Sequence, residues 1–114
     1  MATHHAKPNE IVDLATWSQD LAVEKTKVVL KTQELEVARL VLPAGKILKE
    51  HQVSGPITVH CIAGSTEFTA MGISQTLNPG QLVYLPADEL HALNAITDSI
   101  ILLTIVFKHQ GASD

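Results

Sequence analysis

Six histidines and a single cysteine carry most of the reactive chemistry available to this 114-residue chain. Imidazole transfers protons near neutral pH and ligates divalent metals through either ring nitrogen. His51 and His91 lie in the body of the chain, each close to an acidic residue. The Pro86-Ala87-Asp88 turn stops a short apolar run and presents His91. His4, His5 and His109 lie near the chain ends and are expected to be solvated. Glu50 adjoins His51 but has the opposite strand parity, whereas Glu89 sits in the turn before His91. Glu89 is therefore the carboxylate whose approach to a histidine would support acid–base catalysis. The chain has no Ser-His-Asp arrangement, phosphate loop or zinc-type cysteine cluster.

The elements that must position these residues read as strands. Turn signals fall at Pro43-Ala44-Gly45, Ser54-Gly55-Pro56, Ala63-Gly64, Met71-Gly72, Asn78-Pro79-Gly80 and Pro86-Ala87-Asp88. That spacing is expected of a small β-sandwich or barrel. Between the turns lie runs rich in Val, Ile, Leu and Thr. Residues 26–32 read as an alternating strand with Val28 and Leu30 on one face and Lys27 and Lys31 on the other. Further strands are expected over 35–42, 57–63, 67–71, 82–85, 91–96 and 99–107. Asp13 could cap one short helix through Leu14, Trp17 and Leu21, or the same residues could form a loop that pins Trp17 onto the barrel. Many short strands with almost no helix point to a closed or double-sheet architecture, which removes exposed sheet edges.

Composition narrows the function. Apolar residues make up 46% and charged residues 18%, a globular balance for one domain. A net charge of −4 with no Lys/Arg run argues against a nucleic-acid partner. The longest apolar stretch, 100–107, is too short to span a bilayer as a helix, so no membrane role is expected. Residues 1–10 are polar and lack the apolar core of a secretory signal. Cys61 allows no intrachain disulfide, and a cytoplasmic location is expected.

Two segments go further. The first runs Gly45-Lys-Ile-Leu-Lys-Glu-His51-Gln-Val53 and on through Ile57 to Gly64. The second runs Gly80-Gln-Leu-Val-Tyr-Leu-Pro86-Ala-Asp-Glu-Leu-His91-Ala-Leu-Asn94. Together they resemble the two motifs of the cupin superfamily, in the form seen in small bacterial single-domain members. Gly45, His51 and Gly64 fall in register with the first motif, but Val53 stands at its second His and Ile57 at its Glu. Gly80, Pro86 and His91 match the second motif. Asp88 replaces its second Gly, and Asn94 comes one residue early. The resemblance implies an all-β, RmlC-like double-stranded β-helix, or jelly-roll barrel, over residues 26–107. Residues 1–25 would form an arm packed on it, and residues 108–114 a tail.

In metal-binding cupins the two motif-one histidines, the Glu and the motif-two His converge inside the barrel. Carried over residue by residue, only His51 and His91 remain. With Ile57 at the inward Glu position, Val59, Cys61 and Ala63 also face inward, while Thr58, His60 and Ile62 face out. His60 is then an outer-surface or interface residue. Cys61 lies about 13 Å of strand beyond Ile57 and reads as a small buried hydrophobe.

The expected site is a barrel pocket made by His51, Val53, Ile57, Val59 and His91, which takes a small-molecule ligand. No cofactor is expected; a divalent metal held weakly by His51 and His91 is the alternative. Whether the chain is an enzyme stays open. A metal-dependent oxygenase or an acid–base isomerase is the runner-up to a binding protein, and a partner-binding module with an empty barrel is the third reading. A homodimer is expected as well, because strands 35–42 and 99–107 are apolar on both faces and one face needs an external cover. Ile11, Val12 and Trp17 could supply part of that cover.

Overall fold

The computed structural model describes residues 5–13 and 26–107. The described residues form nine strands and no helix. The strands are β1 (Lys27–Lys31), β2 (Leu35–Leu42), β3 (Ile47–His51), β4 (Ile57–Ala63), β5 (Thr66–Ala70), β6 (Ile73–Leu77), β7 (Leu82–Leu85), β8 (His91–Ala95) and β9 (Ser99–Val106). They build two antiparallel sheets, ordered β1-β2-β9-β4-β7 and β3-β8-β5-β6. The helix expected after Asp13 lies outside the described residues, as do Trp17 and the tail from residue 108. No helix among the described residues is long and apolar enough to cross a membrane.

The two sheets face one another across a shared apolar core. It contains Leu42, Ile57, Val59, Cys61, Phe68, Ala70, Leu77, Leu85, Leu93, Ala95 and Ile101. These residues recur at every second position of β4, β5 and β8, whose burial alternates strictly. Alternate side chains of a strand point to one face, so this periodicity fixes the register against the core.

Strands β3 and β6 were missed as separate elements because their outward positions are exposed and their apolar content is low. Two parity readings also need correction. In β1, Val29 is the buried residue, while Val28 and Leu30 are only half-buried. A register shift between Val28 and Leu30 breaks the simple alternation. In β4, a register shift between Cys61 and Ala63 turns Ala63 out of the core. Ala63 instead joins Val29 and Ile100 in a second cluster. A bulge inserts one residue on one strand and flips the parity beyond it, which no alternating pattern reveals.

The second cluster lies on the outer side of the five-stranded sheet, and Ala6, Val12, Val37, Ile62 and Leu102 pack against it. The Ala6 amide donates to the Val29 carbonyl at 2.6 Å, so the N-terminal segment is tied to β1. Val12 thus serves as expected, whereas Ile11 is 90% exposed and covers nothing.

Two connections meet at one end of the sandwich, which we call the mouth: residues 52–56 from β3 to β4, and residues 86–90 from β7 to β8. The Asp88 amide donates to the Val53 carbonyl at 2.8 Å and joins them. Asp88 has φ 67°, the left-handed conformation that Asp tolerates better than most residues. Gly55 is required here for space, because a Cβ would overlap the Val106 carbonyl oxygen.

Candidate site at the barrel mouth

His51 ends β3 and His91 begins β8, and the two are direct partners across that strand pair. A register shift between Leu48 and His51 re-aims the end of β3. It returns His51 to the row of His91 and Ala70, one row from Leu48, Leu93 and Phe68. The ring centroids of His51 and His91 are 4.3 Å apart with the planes tilted by 56°. Phe68, itself buried in the core, lies 6.2 Å from His91 in a near-parallel arrangement.

The two imidazoles are held alike. His51 Nδ1 lies 3.2 Å from the Lys49 carbonyl, and His91 Nδ1 lies 3.1 Å from the Glu89 carbonyl. A carbonyl oxygen only accepts, so each bond requires a proton on Nδ1. The neutral ring then keeps its lone pair on Nε2, free to accept from a ligand or to bind a cation. Their exposures differ sharply: His91 is 3% exposed, whereas His51 is open to solvent. Burial pushes the His91 imidazole below its ordinary 6.5. The bond to Glu89 opposes this shift, and the neighbouring His51 adds to it.

Among the remaining expected site residues, Ile57 is 3% and Val59 1% exposed, both within the packed core. Val53 is half-buried and packs against that core. The structure therefore brings His51 and His91 together at the ends of β3 and β8, while Ile57 and Val59 are packed in the core on β4. The rim carries exposed apolar side chains, Met71 in the β5–β6 turn and Leu90 next to His91. Glu89 meets His91 through its backbone carbonyl. His60 faces outward opposite Leu82 and Leu102. Cys61 is fully buried, and its Sγ donates toward the Gly64 carbonyl at 3.3 Å. Burial pushes that thiol up, against a smaller opposing effect of the Ala63 carbonyl.

Two residues escaped the sequence reading. Glu36 shares the inward parity of Ala38, Leu40 and Leu42, and it is level with Ile105 and Ile57 across the sheet. It pairs with Lys31 at 3.7 Å. Extending the β2 alternation by one step toward the mouth would have found it. Arg39 is 1% exposed on the opposite face of β2, and no alternation rule announces a buried arginine.

The residues present do not fit the metal centre of the wider fold. No group of three or more His, Cys, Asp or Glu able to hold an ion occurs among the described residues. Val53 and Ile57 put aliphatic groups at the two positions where the motif resemblance would place a second imidazole and a carboxylate.

Comparison with known proteins places this architecture. No protein-family model matches the chain, and no curated protein matches it. Solved structures do. A conserved protein of unknown function from Streptococcus pyogenes superposes with a TM-score of 0.76 at 23% identity, covering 93% of this chain and 94% of that one. A cupin superfamily protein from Desulfitobacterium hafniense gives 0.71 at 14% identity, over 73% and 76% of the two chains. The DMSP lyase DddQ from Ruegeria pomeroyi gives 0.66 at 20% identity, over 77% of this chain and 48% of that one. The protein described here has the cupin fold, the RmlC-like double-stranded β-helix expected from its two motif segments. At these identities the likeness is one of fold.

Proposed function

We propose that the chain binds a small, largely apolar molecule at the barrel mouth without a full metal centre, anchoring it by the His51–His91 pair. The observation that carries this reading is the matched fixing of the two rings: 4.3 Å apart, each with Nδ1 committed to a backbone carbonyl. Two Nε2 acceptors then stand side by side at the edge of an apolar interior. Apolar walls with a few fixed polar groups are the usual makeup of a ligand site. The ligand that suits it offers a hydrogen-bond donor to the pair and apolar surface to Val53, Met71 and Leu90. Native mass spectrometry of freshly purified, untagged protein tests the reading. An organic adduct retained by the wild type and lost on His51→Ala is the expected result. Organic-free protein, or an adduct indifferent to both histidines, would count against it.

The second reading is a metal-dependent cupin enzyme using His51 and His91. The same Nδ1–carbonyl bonds favour it, since metal-ligating histidines commonly use such a bond to aim Nε2 at the ion. DddQ supplies a cupin-fold precedent for lyase chemistry. Charge opposes it. Two neutral imidazoles leave a full +2 beside Val53 and Ile57, and a poorly compensated charge next to apolar surface is costly.

A further inference from the structure

The sheet that faces the histidines carries a carboxylate on its inner side. Glu36 lies near the start of β2, and backbone bonds fix that end at the mouth. The Phe107 amide donates to the Glu34 carbonyl at 2.7 Å, and the Val106 amide to the Pro56 carbonyl at 2.9 Å. The β1–β2 connection therefore adjoins residues 52–56. From there β2 runs away from the mouth to the connection 43–46, and β3 returns from it to His51. Glu36 and His51 thus stand at the same end of the two facing sheets. Parity turns Glu36 inward: Leu40 and Leu42 pack in the shared core, whereas Val37 joins the outer cluster. Its row continues through Ile105 to Ile57.

We propose that Glu36 selects the charge of the ligand, so that the molecule held at the mouth is a protonated amine with an apolar body. This inference rests on the reading of His51 and His91 as a ligand anchor. The Glu36 side chain is only 19% exposed, in a row of aliphatic neighbours. A carboxylate there is costly unless a cation or several donors compensate it. Its ion-pair partner among the described residues is Lys31 at 3.7 Å, whose own side chain is 58% exposed. A solvated lysine at that distance compensates weakly. From the other sheet come two Nε2 atoms, both acceptors once Nδ1 holds the proton. These three groups accept hydrogen bonds and none donates. An ammonium group has three donors and no acceptor, so it matches them in both charge and bonding. An anionic ligand would meet only acceptors and a like charge. Facing sheets lie about 10 Å apart, within the span of a small molecule that touches both walls.

The charge around the opening has the same sign. The connections and strand ends there bring Glu34, Glu50, Asp88 and Glu89 against Lys31 and Lys49. Arg39, also on β2, has the opposite parity to Glu36 and faces away from the interior. An opening ringed mainly by one sign of charge, with low-dielectric walls, concentrates counter-ions, here cations.

Titration of the full untagged chain with hexylammonium chloride, 1-hexanol and sodium hexanoate, slightly above neutral pH, tests this. The ring NMR signals of His51 and His91 report on the mouth. Hexylammonium should move both signals and bind about tenfold or more tightly than hexanol, while hexanoate should leave them in place. Glu36→Gln keeps the shape and removes the charge. It should weaken hexylammonium by about tenfold to a hundredfold and leave hexanol unchanged. Glu67→Gln, on the outer face of the other sheet, should change neither. The preference for ammonium over alcohol is read on the wild type and depends on no variant's folding. Hexanol or hexanoate binding as tightly as hexylammonium, or a Glu36→Gln chain that holds the ammonium as tightly as wild type, would overturn charge selection and leave the histidine anchor standing. Histidine signals that none of the three ligands moves would overturn both.

Discussion

The two ends of the barrel interior are built from the same strands, yet they do different things. At the closed end, Cys61, Thr66, Ala95, Ile101 and Ser99 are all at 1% exposure or less. Two of its polar side chains are turned onto nearby backbone: Ser99 Oγ donates to the Thr97 carbonyl at 2.8 Å, and Cys61 Sγ faces the Gly64 carbonyl, while the Thr66 hydroxyl is buried without a partner among the described residues. At the mouth, His51 is open, His91 is buried, and both rings leave one nitrogen without a bond to the backbone carbonyl that holds them. Close packing with internal bonding gives stability but no site. The mouth gives up some packing, and what it leaves available is two Nε2 acceptors.

If that contrast holds, substitutions toward the closed end should act on stability and those at the mouth on binding. The largest effect is expected from Phe68→Ala, which empties the layer beneath His91 and should lower unfolding free energy by about 3–5 kcal/mol. Urea denaturation measures it, and a loss under 1 kcal/mol would mean that the two ends are not separated by a packed layer. Gly64→Ala comes next. Gly64 has φ 77°, and an added Cβ would overlap the Asp98 carbonyl oxygen, so the β4–β5 turn must shift. A cost of about 1–3 kcal/mol is expected, with no change in ligand affinity.

At the mouth the expected stability effects are smaller and depend on pH. The His91 pKa is lowered in the folded state, so the unfolded chain binds more protons on acidification. Its contribution to stability is therefore complete above the ordinary 6.5 and is lost as pH falls through that value toward the folded pKa. A histidine NMR titration should place His91 below 6.5. In His51→Ala the His91 value should rise, because a neighbouring positive charge is gone; no movement would mean that the rings are not coupled. The smallest effect is the stability change of His51→Ala itself, expected within about 0.5 kcal/mol because the residue is exposed. Loss of adduct with so little loss of stability would sharpen the contrast further.

The sequence was informative about the fold where turn chemistry and alternation agree. Gly64 and Gly80, both named as turn signals, adopt positive φ, and Asp88 takes the left-handed turn where the motif has a glycine. The inward set Ile57, Val59 and Cys61 followed from the motif register at Ile57 extended by strand parity. Ala63 and Val29 were misread because bulges invert parity, and a bulge leaves no mark on composition. At the site, the approach of His51 to His91 followed from the motif register. The Nδ1 bonds to Lys49 and Glu89 did not, since they depend on backbone carbonyls that side-chain identities do not report.

The central claim is that His51 and His91 form a ligand anchor and not a metal centre. Elemental analysis of untagged protein, expressed without a histidine tag and dialysed against a mild chelator, addresses it most directly. The account predicts iron, manganese, nickel and zinc each well below one equivalent per chain. About one retained equivalent of any of them, lost on His51→Ala or His91→Ala, would contradict it.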